Sequence, residues 1–127
     1  MLEVYVDAAT AGNHGKSGIG IFIKGEGHLL KFSEPITPMT NNEAEFVALV
    51  RGLQEAVKLN PSIVSLRSDS KVVVSSVDKR YVKNEAFKPH LEEALALIDT
   101  LPLCFIKWIP DVENRAADAL AREAIHR

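Results

Sequence analysis

Four carboxylates stand where an acid side chain can do chemistry: Asp7, Glu45, Asp69 and Asp118. Asp7 closes the strand-like run Leu2 to Val6, and Asp69 follows another, Ile63 to Ser68. Glu45 is the most telling of the four. In a helix that starts at Thr40 and runs to about Leu59, Glu43, Arg51, Gln54, Glu55 and Lys58 share one polar arc at roughly 100° per residue. Glu45 falls opposite that arc, among Ala48, Leu49, Gly52 and Ala56. A carboxylate on a buried helix face costs several kcal/mol unless a cation or hydrogen-bond donors meet it, and the helix supplies neither. Asp118 lies at the margin of the apolar arc of the last helix, one turn before Ala121 and two before Ile125. If the two strands that end in aspartate are neighbours, all four acids converge on the edge where such sheets bind ligands. Oxygen donors without His or Cys suit Mg2+ or Mn2+. A pair of such ions about 3.5 to 4 Å apart clamps the attacking and leaving oxygens of a phosphoryl transfer.

Each acid also has a plainer use. Asp7 suits a turn and Asp69 a helix N-cap, since aspartate is favoured at both. Asp118 can be a solvated helix residue paired with Arg115 or Arg122. Glu43 needs no site at all: with Thr40 it forms the pattern of a capping box. Burial makes the plain reading expensive only for Glu45.

The elements that must position these residues follow from periodicity and breakers. Leu2 to Asp7, Gly18 to Lys24 and His28 to Ser33 are strand-like and joined by short Gly-containing loops, which predicts an antiparallel meander. Pro35 and Pro38 lead into the Thr40 helix, and Asn60-Pro61 ends it. Ile63 to Ser68 is then a fourth strand, and Ser70 to Val77 a short helix despite its valines. Glu85 to Asp99 is helical, Leu103 to Ile109 a fifth strand, and Asn114 to about His126 the last helix. The pattern predicts an α/β fold, a five-stranded mixed sheet of three antiparallel strands followed by two parallel ones, flanked by helices.

The 127 residues are enough for one domain with one core, and no disulfide or structural metal is needed to stabilise it. The single Cys104 sits in an apolar run and reads as a buried, reduced and inert thiol. No apolar stretch reaches 18 residues and the N-terminus lacks a signal-peptide pattern, so a cytoplasmic protein without a membrane partner is expected. A net charge of -2 argues against strong non-specific adsorption to nucleic acid.

Asp7, the loop Gly12-Asn13, Thr40-Asn41-Asn42-Glu43-Ala44-Glu45, Ser68-Asp69-Ser70, and Trp108-Ile109-Pro110 leading to Asn114-Arg115-Ala116-Ala117-Asp118 occur in one order along the chain. Together they resemble the type 1 ribonuclease H family, and the resemblance covers essentially residues 1–127. It implies a ribonuclease H-like fold and a metal-dependent endoribonuclease that cleaves the RNA strand of RNA/DNA hybrids. It makes Asp7, Glu45, Asp69 and Asp118 the ligands of two Mg2+ ions, with Mn2+ as a possible substitute. Asn13, Asn41 and Asn42 fall where the family contacts the minor groove and its 2′-hydroxyls. Thr40 falls near its grip on a DNA phosphate, and Lys71 at a position from which some members touch bases.

The chain departs from the family pattern in three places. The loop before the last helix reads Pro110-Asp111-Val112-Glu113, where many members carry a histidine. Of the basic, tryptophan-rich protrusion found in some members, only Lys79, Arg80, Lys83 and Lys88 with Tyr81 remain. Lys71 stands where some members have glutamine. Modest substrate affinity is the expected consequence. The competing expectation is a nucleic-acid-binding module of the same fold with weak catalysis or none.

Overall fold

The computed structural model describes residues 1–12 and 14–127. Five strands, β1 (Leu2–Thr10), β2 (Ser17–Gly25), β3 (His28–Ile36), β4 (Val64–Ser68) and β5 (Cys104–Trp108), form one sheet in the order β3-β2-β1-β4-β5. β1 pairs antiparallel with β2, and β2 with β3; β1 pairs parallel with β4, and β4 with β5. This is the mixed sheet expected from the sequence. The helices are α1 (Asn41–Lys58), α2 (Lys71–Lys79), α3 (Lys88–Ile98) and α4 (Arg115–Ile125), and a 3-10 turn spans Asp111–Glu113.

Alternation along β1 turns Leu2, Val4 and Val6 toward α1, where they are buried with Phe46, Leu49 and Leu53. Each fully buried side chain of this size stabilises the fold by about 1.5 to 3 kcal/mol. The close approach of α1 depends on Gly52, because a Cβ there would lie 2.6 Å from Cγ1 of Val6. On the opposite face α4 buries Ala117, Ala121 and Ala124 against β1 and β2. Gly18 admits it: a Cβ at that position would stand 2.6 Å from Cβ of Ala124. Small residues on both sides of this contact bring the α4 backbone down onto the sheet.

Several boundaries differ from the sequence expectation, each for a physical reason. β1 continues through Asp7 to Thr10 because β2 keeps pairing with it as far as Ser17. β3 runs through Pro35, which an edge strand tolerates since the missing N–H leaves no ladder bond unmade. α3 begins at Lys88 rather than Glu85, with a proline in its first turn, where a missing N–H costs nothing. α2 forms despite its valines, with the Ser70 hydroxyl accepting from the Val73 N–H at its start. Cys104 is half-buried rather than buried, and burial pushes its thiol up to about 11, consistent with an unreactive thiol. No helix among the described residues is long and apolar enough to cross a membrane.

Candidate active site

The parallel pairing of β1 with β4 ends at Tyr5 and Arg67. Asp7, two residues further along β1 and on the same face as Tyr5, therefore projects beyond the point where β4 leaves, opposite Gly20 of β2. It stands inside a strand and not in a turn, and its carboxylate accepts from the N–H of Ala8 at 2.9 Å. Asp69 is not a helix cap either. Ser70 fills that role, and the Ser68 hydroxyl accepts from the Ser70 N–H at 3.0 Å. The turn considered for Asp7 is thus absent, and the cap considered for Asp69 is taken by Ser70. α1 brings Glu45, just past its first turn, in from the other side, on the buried face of that helix. Carboxylate oxygens of Asp7, Glu45 and Asp69 all lie within 4.8 Å of one another.

These three acids are packed together without a cation among the described residues. Burial, and then the charges of Asp7 and Asp69, push Glu45 up to about 10. Burial and the charge of Asp69 raise Asp7 to about 7, against the N–H of Ala8, which favours its ionised form. Asp69 is also raised, first by burial, while a hydrogen bond from Asn114 pulls the other way. At neutral pH the pair Asp7 and Glu45 holds at least one proton that two free carboxylic acids would have lost. A divalent cation would replace that proton. The donor set is oxygen only, which fits a hard divalent cation that Asp7, Glu45 and Asp69 would hold.

Asp118 lines the same cleft, about 710 Å³ in volume, together with Asp111, Asn41, Asn42, Lys71 and Trp108. It does not join the close triad: both of its carboxylate oxygens accept from Nε of Arg122 at 3.0 Å. The Arg pairing that the helix spacing allowed is therefore formed, on the rim of the acid site. Asn41 and Asn42 are exposed in the first turn of α1. Lys71 lies with its ammonium 5.3 Å from the centroid of the Trp108 ring. The Thr40 hydroxyl accepts from the N–H of Glu43 at 3.3 Å, so Thr40 caps α1 as expected. The reciprocal half of the capping box is not made, because the Glu43 carboxylate meets Nε2 of His90 at 3.0 Å on α3. Asn13 lies outside the described residues.

Two contributors escaped the sequence reading. Asn114 was expected only to open the last helix, yet its side chain makes no capping bond. Its amide instead donates to the Val6 carbonyl at 2.9 Å and to Asp69 at 3.4 Å, tying β1 to the loop that carries Asp69. Both neighbours of its nitrogen are acceptors, which fixes the orientation of the amide. Its Oδ1 is buried with no partner among the described residues, a cost accepted at a position that aligns an acid. The other is Asp111, which adds negative charge beside Asp69 where the sequence comparison noted only a missing histidine. For Asp111 the sequence held no signal beyond its charge.

A mixed sheet in this strand order, with Asp7 inside β1 and Asp69 just past the end of β4, defines an α/β class with an acid site beside its central strand, and comparison with known proteins narrows it. A family model described as reverse transcriptase-like matches residues 5–124. A putative hydrolase, EbsB, of Enterococcus faecalis is 43% identical over 129 residues, covering 100% of this chain and 96% of that protein. The bifunctional protein Rv2228c of Mycobacterium tuberculosis is 32% identical, and the match covers 96% of this chain but only 35% of that protein. The solved N-terminal ribonuclease H domain of Rv2228c superimposes with a TM-score of 0.91 at 30% identity, covering 98% of each chain. LC11-RNase H1, solved in complex with an RNA/DNA hybrid, also gives 0.91 at 30% identity, covering 99% of this chain and 97% of that one. The chain belongs to the type 1 ribonuclease H family of enzymes.

Proposed function

We propose that residues 1–127 form one ribonuclease H-like domain that acts as a metal-dependent endoribonuclease on the RNA strand of RNA/DNA hybrids, leaving a 5′-phosphate and a 3′-hydroxyl. The observation that carries this reading is the gathering of Asp7, Glu45 and Asp69, whose carboxylate oxygens lie within 4.8 Å of one another. Asp7, Glu45, Asp69 and Asp118 would hold two Mg2+ ions, for which Mn2+ can substitute. When bound, the ions supply a water of lowered pKa and neutralise charge on the attacking and leaving oxygens.

The remaining work falls to the chain's own residues. Burial keeps a proton on Asp7 and Glu45 that a cation held there would displace. Asp118 would have to leave Arg122 to join the other acids, which a surface pair worth about 1 kcal/mol or less permits. Asn41 and Asn42, on the cleft wall beside Glu45, offer amide donors and acceptors to the 2′-hydroxyls by which RNA differs from DNA. Asn13 and Thr40 would extend that grip, and Lys71 offers a cation at the rim. Lys79 and Lys83 continue the basic surface past Lys71, beside the exposed Tyr81. LC11-RNase H1 binds a hybrid on the same fold, which supports this substrate class.

A second reading, hybrid binding without turnover, is favoured by one observation, the two-oxygen hold of Arg122 on Asp118. Incubation of a labelled RNA/DNA hybrid with the protein and Mg2+ or Mn2+, beside duplex DNA and duplex RNA, separates the two. Cleavage confined to the hybrid's RNA strand and abolished by EDTA is expected. A hybrid that is bound but stays intact with either metal would leave the second reading standing.

A further inference from the structure

The parallel half of the sheet has a bare face. α1 packs on one side of the sheet with α3 against it, and α2 covers β4 and β5. α4 packs on the other side, against β1, β2 and β3. Parallel strands are ordinarily covered on both faces, so the α4 side of β4 and β5, with the adjoining ends of the other strands, is an unusual surface to leave open.

Its composition says what it could meet. Residues paired across neighbouring strands share a face, and the register sets Lys31, Phe22, Tyr5, Arg67 and Lys107 side by side across all five strands. The next row carries Lys24, Glu3 and Phe105. Four cations therefore face one carboxylate, in a chain whose net charge is -2. Glu3 is shared between Arg67 at 3.1 Å and Lys24 at 4.0 Å. Lys31 and Lys107 have no carboxylate partner among the described residues and are exposed.

Aromatic rings stand between the cations. Phe105 is 46% exposed on the edge strand β5, within reach of Arg67 and Lys107 on the same face. Tyr5 packs 5.8 Å from Phe22, with the Arg67 guanidinium 5.3 Å from the Tyr5 centroid. A protein partner would ordinarily meet an apolar centre with charges at the rim. Here Arg67 sits on an inner strand over the Tyr5 ring, and Lys31 and Lys107 stand on the two edge strands. Cations interleaved with aromatic faces are the makings of a platform for unpaired bases and their phosphates. Five strands about 4.8 Å apart span about 19 Å, room for a short run of nucleotides.

We propose that this bare face is a second nucleic-acid surface, which takes single-stranded RNA or DNA across the sheet with phosphates toward Lys31, Arg67 and Lys107 and a base against Phe105. It uses none of the acids, so it stands or falls apart from the hydrolytic reading. The test is fluorescence anisotropy of a labelled oligothymidylate of about 20 nucleotides, in EDTA, over about 50 to 200 mM salt. Lys31→Glu with Lys107→Glu should weaken binding about tenfold or more and flatten the dependence of log affinity on log salt by about 1.4. Phe105→Ala should weaken it about fivefold or more. Lys79→Ala with Lys83→Ala, at the end of α2 and in the connector that follows, reports instead on the basic surface beside the acid site. Both charge-reversed lysines are exposed and have no carboxylate partner among the described residues, so a thermal melt matching the parent is expected. The proposal is overturned if the parent does not bind at the lowest salt, or if the double reversal leaves affinity and salt slope unchanged. It is equally overturned if the connector variant carries the loss, or if polyglutamate competes as well as the oligonucleotide.

Discussion

Asp7→Asn separates a metal ligand from a structural acid, because the two roles predict opposite changes in stability. Asparagine keeps the shape of the side chain, still accepts from the N–H of Ala8 through its carbonyl oxygen, and donates toward Glu45 without carrying charge. In the parent, burial and Asp69 raise Asp7 from the ordinary 3.8 to about 7. At about 1.4 kcal/mol per pH unit, that rise is worth about 4 kcal/mol of lost stability once the group is ionised. The sign follows from linkage: a carboxyl raised in the folded state leaves stability intact below its unfolded pKa and lowers it as pH climbs through the folded one. Without metal, parent and variant should therefore melt alike near pH 4 and diverge up to about pH 7, with the variant the more stable. Retention of a proton on Glu45 will absorb part of the 4 kcal/mol, so a gap of about 1 to 2 kcal/mol is expected at pH 8, or roughly 3 to 12 °C in Tm. Mg2+ at about 100 times its Kd should raise the parent by about 2.7 kcal/mol and the variant by much less. Calorimetric melts of both proteins from pH 4 to 8, with EDTA and with Mg2+, read all of this. A variant that melts below the parent without metal, or a gap that does not change with pH, would refute the argument and make Asp7 a structural partner.

Three further outcomes follow from named contacts. Glu45→Gln should lower hybrid cleavage by about 10²-fold or more, while Glu43→Gln, which loses only its contact with His90, should alter stability by about 1 kcal/mol and leave turnover near the parent's; steady-state rates and melts of both distinguish them. Asn114→Ala frees Asp69 and the Val6 carbonyl, so it should destabilise the fold by about 1 to 3 kcal/mol and weaken the Mg2+-induced rise in Tm; an unchanged metal response would show that Asn114 serves the fold alone. Lys79→Ala with Lys83→Ala should reduce hybrid affinity and lower its salt slope by up to about 1.8, whereas Arg80→Ala should not, since Arg80 is committed to Asp99 at 2.7 Å; titrations at two salt concentrations decide between them.

Alternation and helical spacing carry information about which side of an element is buried, and that was enough to make five strands, four helices and the buried position of Glu45 legible in the residues alone. The same local logic exposed Thr40 as a cap and placed Arg122 within reach of Asp118. What local spacing cannot contain is where elements end relative to their neighbours. Asp7 reads as the end of a strand, but it is the early departure of β4 after Arg67, not the end of β1, that uncovers it. Asp69 and Asn114 each match a cap pattern, and only packing decides that Ser70 caps α2 while Asn114 turns inward to hold Val6 and Asp69. Glu43 likewise gave up its half of the capping box to a histidine 47 residues away. The bare, basic face exists only because strand register aligns Lys31, Arg67 and Lys107, which are far apart in the chain. Local hydrogen bonds and periodicity act over a few residues and are written in the sequence. The competition between a cap, an ion pair and a distant carbonyl is settled by which partner the fold brings within about 3 Å.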